Sequence, residues 1–183
     1  MFVMISLITS TGIMLQERAD GTWHRLLATP ISRSQILGGY LLGYFILGWL
    51  QFGILVAASR LLFNIYWGDP LGLLVIISVF ILCSISLALA LGGFVKTFQQ
   101  QQAIASILVT ATSMLGGVFW PLELEPKAMQ LLARGIPQYW ASQGVSSLLL
   151  GGLDWSRLAL PVGILAAMCA AFFLLGVGRL KFE

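Results

Sequence analysis

Several residues in this 183-residue chain are of types that could do chemistry, but their spacing does not support it. The only histidine, His24, has no second ligand at metal-binding spacing. Cys83 and Cys169 lie inside apolar runs and form no Cys-x-x-Cys pair, which reads as two buried free thiols. The stretch GGFVKT at 92–97 is the nearest approach to a phosphate-cradling loop. It lacks the adjacent Gly-Lys that brings backbone amides and an ammonium onto the same phosphates. Intramembrane proteolysis or group transfer needs paired carboxylates, a His-Glu-x-x-His site or a serine beside a base. All seven acids lie outside the centres of the apolar segments, which argues against an enzyme. No segment carries a charge near its middle, as an ion path usually would. The net charge of +3 is too small and too scattered for a nucleic-acid footprint.

The composition explains this poverty. Hydrophobic residues make up 58% and charged residues 9%, against roughly 25% charged in a soluble domain. Apolar segments fall near 36–58, 71–95, 102–120 and 157–178, after a shorter start at 1–15. A span needs about 20 residues, so the first segment looks cut off at its outer end. Apolar residues surround most of each segment rather than forming a stripe, as expected for helices in lipid. The expected fold is all-α: a polytopic membrane protein of about five transmembrane helices in one transmembrane domain over 1–183.

Basic residues set the orientation. With 16–35 in the cytoplasm, that side collects Arg18, Arg25, Arg33, Lys96, Arg179 and Lys181. The outside then holds Arg60, Lys127, Arg134 and Arg157, diluted by Asp69, Glu123, Glu125 and Asp154. The N-terminus is then outside and the C-terminus inside. On the outer side, 121–156 contains two pieces of helical length, 126–134 and 138–150, split by Gly135 and Pro137. Neither could span, so re-entrant or interfacial helices are expected, anchored by Trp120, Tyr139, Trp140 and Trp155. The stretch KTFQQQQ at 96–102 reads as a tight cytoplasmic turn.

The densest polar passage is QERADGTWHRLLATPISRSQ at 16–35. Asp20-Gly21 interrupts the first helix, and Thr22 can cap a new one. Trp23, Leu26 and Leu27 share a face at i, i+3 and i+4. Pro30 disfavours helical geometry at Thr29 and ends the piece. Ser32-Arg33-Ser34-Gln35 then matches a capping box that opens the next span. A short amphipathic helix results. Its periodicity fits equally an interfacial hairpin in lipid and a knob docking on a cytoplasmic partner. Within the spans, Gln51 could face a cavity or a partner helix, and Gly39-x-x-x-Gly43 could allow close helix packing. Gly116-Gly117 and Pro161 could loosen their helices or simply serve packing.

Glu17, Arg18, Gly21, Thr22, Leu26, Leu27, Thr29 and Pro30 match the Glu-Arg-x-x-Gly-Thr-x-x-x-Leu-Leu-x-[Thr/Ser]-Pro passage of ABC type-2 transporter permeases. A second passage, SMLGGVFWPLELEPKAMQLLARGIPQYWASQGVSSLLLGG at 113–152, is similar to that family's stretch from the fifth span into its outer re-entrant helices. The resemblance covers nearly the whole chain but only the family's later part, without the first span and extracellular region. It therefore implies a C-terminal portion, or a split or shortened frame.

The resemblance further implies a permease subunit of an ABC exporter in the cell inner membrane, moving an amphiphile or drug. Its partners would be a cytoplasmic ATPase, a second permease half or a homodimer copy, and the bilayer. ATP and magnesium would be held by the ATPase, with no cofactor in this chain. Thr22–Ala28 would form the coupling helix, with Trp23, Leu26 and Leu27 packing and Arg18 and Arg25 making polar contacts. Glu17 would pair with a base on a neighbouring elbow segment, and Gly21 and Pro30 would bound the coupling element. The alternative is a non-transporting fragment or assembly scaffold derived from such a permease.

Overall fold

The computed structural model describes residues 1–19, 32–120, 122–151 and 154–179. Within these residues the chain is an all-α membrane bundle, without strands. Its helices are α1 (Phe2–Ala19), α2 (Arg33–Phe63), α3 (Pro70–Gly92), α4 (Phe98–Leu115), α5 (Lys127–Ala133), α6 (Pro137–Gly151) and α7 (Trp155–Arg179). A single 3₁₀ turn at Leu122–Leu124 precedes α5. Among the described residues, three helices are long and apolar enough to cross a membrane: Gln35–Phe63, Pro70–Gly92 and Trp155–Gly178. In α1 the apolar stretch is shorter, Phe2–Ile13.

Local sequence accounts for the boundaries. Ser32 opens α2 with the expected capping box: its hydroxyl accepts from the Gln35 amide at 3.3 Å, and Gln35 Oε1 accepts from the Ser32 amide at 2.9 Å. The far end of α2 closes on Asn64, in the left-handed region at φ 50°. Gly68 follows at φ 78°, where a Cβ would lie 2.5 Å from the Leu148 carbonyl oxygen. Only glycine suits that turn. Asp69 then caps α3 through its Leu71 and Gly72 amides, with Pro70 in the first helical position. Asp154 caps α7, accepting from the Ser156 hydroxyl at 2.6 Å and the Ser156 amide at 3.0 Å. Those bonds, aided by Arg157, hold its carboxyl below the ordinary carboxylate value.

The first helix continues past its apolar stretch through Gln16–Ala19. Two expected boundaries move, both on the fourth helix. The glutamine run is helix rather than turn: Thr97 caps α4 by accepting from the Gln100 amide at 3.3 Å, so Phe98–Gln102 form its first turns. The helix then ends at Leu115, short of 120, because Gly117 turns the chain at φ 73°.

The core is built around α3. Its most extensive interface is with α7, and α1, α2 and α6 also pack on it. Among its buried residues are Ile76, Phe80, Ile81, Ile85 and Leu89. Paired contacts fix the helix directions. Ser6 meets Gln51 and Glu17 meets Tyr40, so α1 and α2 are antiparallel. Phe52 meets Phe80 edge-on at 6.1 Å, while Gly48 lies against Ile81, so α2 and α3 are antiparallel. Ser86 meets Cys169 at 3.3 Å and Leu89 lies against Gly176, so α3 and α7 run the same way.

This alternation gathers the end of α1, the starts of α2 and α4 and the ends of α3 and α7 at one pole of the bundle. The turn at 64–69 and helices α5 and α6 lie at the other. On α2 a stripe of Leu42, Ile46, Leu50 and Ile54, each about 60% exposed, recurs every four residues. It is a face suited to lipid or to another membrane helix.

Candidate functional site

Of the residues singled out from sequence, Glu17 and Arg18 lie on the last turn of α1, and Gly39, Gly43 and Gln51 lie on α2. Gly21, Thr22, Trp23, Arg25, Leu26, Leu27 and Pro30 lie outside the described residues. So does the backbone of the amphipathic helix expected from them. What the structure places is the frame on either side of that passage.

Glu17 sits on the last turn of α1, and the Tyr40 hydroxyl donates to its Oε2. Tyr40 in turn stacks on Tyr44, one helical turn further along α2, with ring centroids 6.1 Å apart. The expected partner of Glu17 was a base on another segment. Among the described residues its hydrogen-bond partner is this tyrosine. Arg18 is helical in α1. The clasp ties the last turn of α1 to the first part of α2, so 20–31 joins two helices already held together.

A phenol–carboxylate bond is charge-assisted, worth about 1.5–3 kcal/mol when its removal leaves no new partner. Tyr40→Phe and Glu17→Gln should each lower the thermal midpoint measurably, and the double variant should lose little more than either alone. Additive losses in the melting series would show that the two groups do not act as a pair.

Deeper in the bundle, Gln51 Nε2 donates to Ser6 Oγ at 2.7 Å, a second polar tie between α2 and α1. Gln51 also lines a cavity of about 270 Å³ beside Phe2, Val3 and Ile54, and its buried Oε1 has no hydrogen-bond partner. Among the described residues, no atom beyond the local helix backbone lies within 4 Å of a Cβ added at Gly39 or Gly43.

A third tie was missed from sequence. Gln101 of α4 is 1% exposed, and its Nε2 lies 3.1 Å from Ile8 O, 3.1 Å from Thr11 Oγ1 and 3.4 Å from Ala88 O. It joins α1, α3 and α4. Its signal was the spacing Gln101, Ala105, Val109, Ser113, one buried stripe at i+4 intervals. Gln138, which opens α6, was also missed. It is 3% exposed, and its Nε2 donates to Thr112 Oγ1 at 2.7 Å.

The helix α1 is thus held by three polar ties, through Glu17, Ser6 and the Gln101 group, and leads directly into the passage at 20–31. These described polar ties join one helix of a membrane-type bundle to its neighbours and fix its placement.

Residues 1–177 match the family described as ABC-2 family transporter protein. The chain belongs to that family. It is 38% identical over 181 residues to the linearmycin resistance permease protein LnrN of Bacillus subtilis (strain 168), covering 99% of this chain and 47% of LnrN. To the inner membrane transport permease YadH of Escherichia coli (strain K12) it is 32% identical over 179 residues, covering 94% of this chain and 69% of YadH. To the "Probable multidrug ABC transporter permease YbhS" of the same strain it is 25% identical over 181 residues, 97% of this chain and 47% of YbhS. The chain therefore spans about half the length of LnrN and of YbhS. The family and these names place it among membrane-embedded transporter proteins rather than enzymes.

Proposed function

We propose that this chain is the membrane-spanning permease part of an ABC exporter in the cytoplasmic membrane. It moves an amphiphilic substrate or drug, driven by ATP and magnesium bound on a separate cytoplasmic ATPase. A second permease half, identical or related, completes the path. The pole bearing 16–35 faces the cytoplasm, with the N-terminus of the chain outside and its C-terminus inside.

The observation that carries this reading is the Glu17–Tyr40 clasp. It holds together the two helices that bracket 20–31, the passage whose residues resemble a coupling helix. A force applied to that passage by a closing ATPase would pass into α1 and α2 together. From α1 it would reach α3 and α4 through the Gln101 ties. Packing contacts would come from Trp23, Leu26 and Leu27, and polar contacts from Arg18 and Arg25. The resistance and multidrug permeases among the relatives support export of an amphiphile.

Co-purification with a candidate ATPase tests the reading. Leu26→Asp and Leu27→Asp each place a carboxylate in the apolar docking face, an effect of several kcal/mol if the face is desolvated on binding. The expected result is at least a tenfold loss of retained ATPase, with the permease still inserted and monodisperse. Unchanged retention in both variants would sink the docking role and, with it, the cytoplasmic placement of this pole.

A further inference from the structure

At the pole opposite the clasp, the end of α5, α6 and the first two turns of α7 border an open cavity of about 470 Å³ lined by Arg134, Gln143, Arg157, Leu160 and Pro161, among others. Two arginines on the wall of one cavity are unusual in a chain with only 10 lysines and arginines. Their commitments elsewhere are slight. Arg157 pairs with Asp154 through Nε and Oδ2 at 3.2 Å, on a side chain that is 68% exposed. Arg134 makes no ion pair among the described residues. Its backbone is fixed because its carbonyl accepts from Trp140 Nε1 at 2.7 Å.

We propose that this cavity binds the phosphate of an anionic membrane lipid. Two planar, permanently charged forks suit an oxyanion. Gln143, also on the cavity wall, can supply a further donor through its amide. Leu160 and Pro161 give the cavity an apolar side, which a free ion would not use but the glycerol and upper acyl carbons of a lipid would.

Depth agrees with this assignment. The membrane-length part of α7, Trp155–Gly178, has 24 residues. At 1.5 Å per residue it is roughly 36 Å long, against a hydrocarbon core of roughly 30 Å. Centred on that core, the helix would leave its first turn, with Arg157, at headgroup level. Trp155, 53% exposed in the same turn, is of the type enriched there.

The test uses the full chain released from mixed micelles of equal phosphatidylcholine and phosphatidylglycerol, with retained lipid counted by native mass spectrometry. The wild type should hold phosphatidylglycerol about tenfold over phosphatidylcholine, the scale of two basic contacts near a headgroup layer. Arg134→Gln with Arg157→Gln should bring the two lipids to parity. Arg134→Gln alone, which breaks no ion pair, should lose about threefold and serves if the double variant does not fold. Lys127→Gln, at the same pole but outside the cavity, should keep the wild-type preference. Equal retention of both lipids by the wild type, or an equal loss in Lys127→Gln, would overturn the site in favour of diffuse attraction. Millimolar inorganic phosphate should leave the preference intact; its erasure would overturn the lipid assignment and leave a free-anion site.

Discussion

Gly176→Leu is expected to leave little monodisperse protein, while Gly163→Leu on the same helix is expected to behave like the wild type. At Gly176 the α7 backbone lies directly on α3. A Cβ would stand 2.9 Å from Ala90 N, 3.0 Å from Leu89 C and 3.1 Å from Leu89 Cβ. Two of those atoms are backbone in the last turn of a packed helix and cannot swing aside. At Gly163 no atom lies within 4 Å. Without a hydrophobic driving force between helices in lipid, close packing carries much of their association, and the α3–α7 seam is the most extensive in the bundle.

Alanine at 176 should therefore cost about 1–3 kcal/mol by overpacking. Leucine would push the helices apart beyond repair by rotamer changes. Fluorescence-detected gel filtration after graded heating reads both effects. A Gly176→Leu protein that melts with Gly163→Leu would show that the seam is not the tight contact described.

The seam also shows what could be read before the structure. Helical class, the capping box at Ser32–Gln35 and the short helices separated at Gly135 and Pro137 are written in local chemistry: apolar runs, caps and breakers. Contacts between helices are not. Gly176 is one of 20 glycines, and nothing in its neighbours distinguishes it from Gly163 or Gly178, which face open space.

The same blindness affected the candidate site. Glu17 was singled out by its motif, but its partner Tyr40 lies 23 residues away on another helix. Gln51 stood out as a polar group in an apolar segment. Gln101 did not, because three neighbouring glutamines disguised it as part of a turn. Burial separates them: Gln99, Gln100 and Gln102 are exposed, and only Gln101 faces inward. A helical period applied across the run would have placed it with Ala105 and Val109.

Gln101→Glu turns that hidden position into the sharpest pH-dependent test of the bundle. The amide orientation is fixed by its surroundings. Thr11 Oγ1 donates its own proton to Ile8 O at 2.7 Å, so it can only accept from Gln101, and Ile8 O and Ala88 O are carbonyl acceptors. The nitrogen thus faces three acceptors, and the oxygen, buried, has no partner. An ionised carboxylate in this place has nothing to accept from and three oxygens to repel, so it would be held protonated.

Its folded-state pKa would then stand above the unfolded value of roughly 4.3. Below that unfolded value the variant escapes the charge penalty. As pH rises toward the folded value, stability is lost at about 1.4 kcal/mol per pH unit. Between pH 5 and pH 8 the thermal midpoint of Gln101→Glu should fall steeply, with a total loss of about 3 kcal/mol or more.

Gln101→Leu removes the donors and the orphan oxygen together. It should cost only about 1 kcal/mol, independent of pH. Parallel melting curves for the two variants across that range would rule out the buried three-acceptor site. A divergence that opens only as pH rises would tie the stability of α1, and so the frame around 20–31, to a single amide at the junction of three helices.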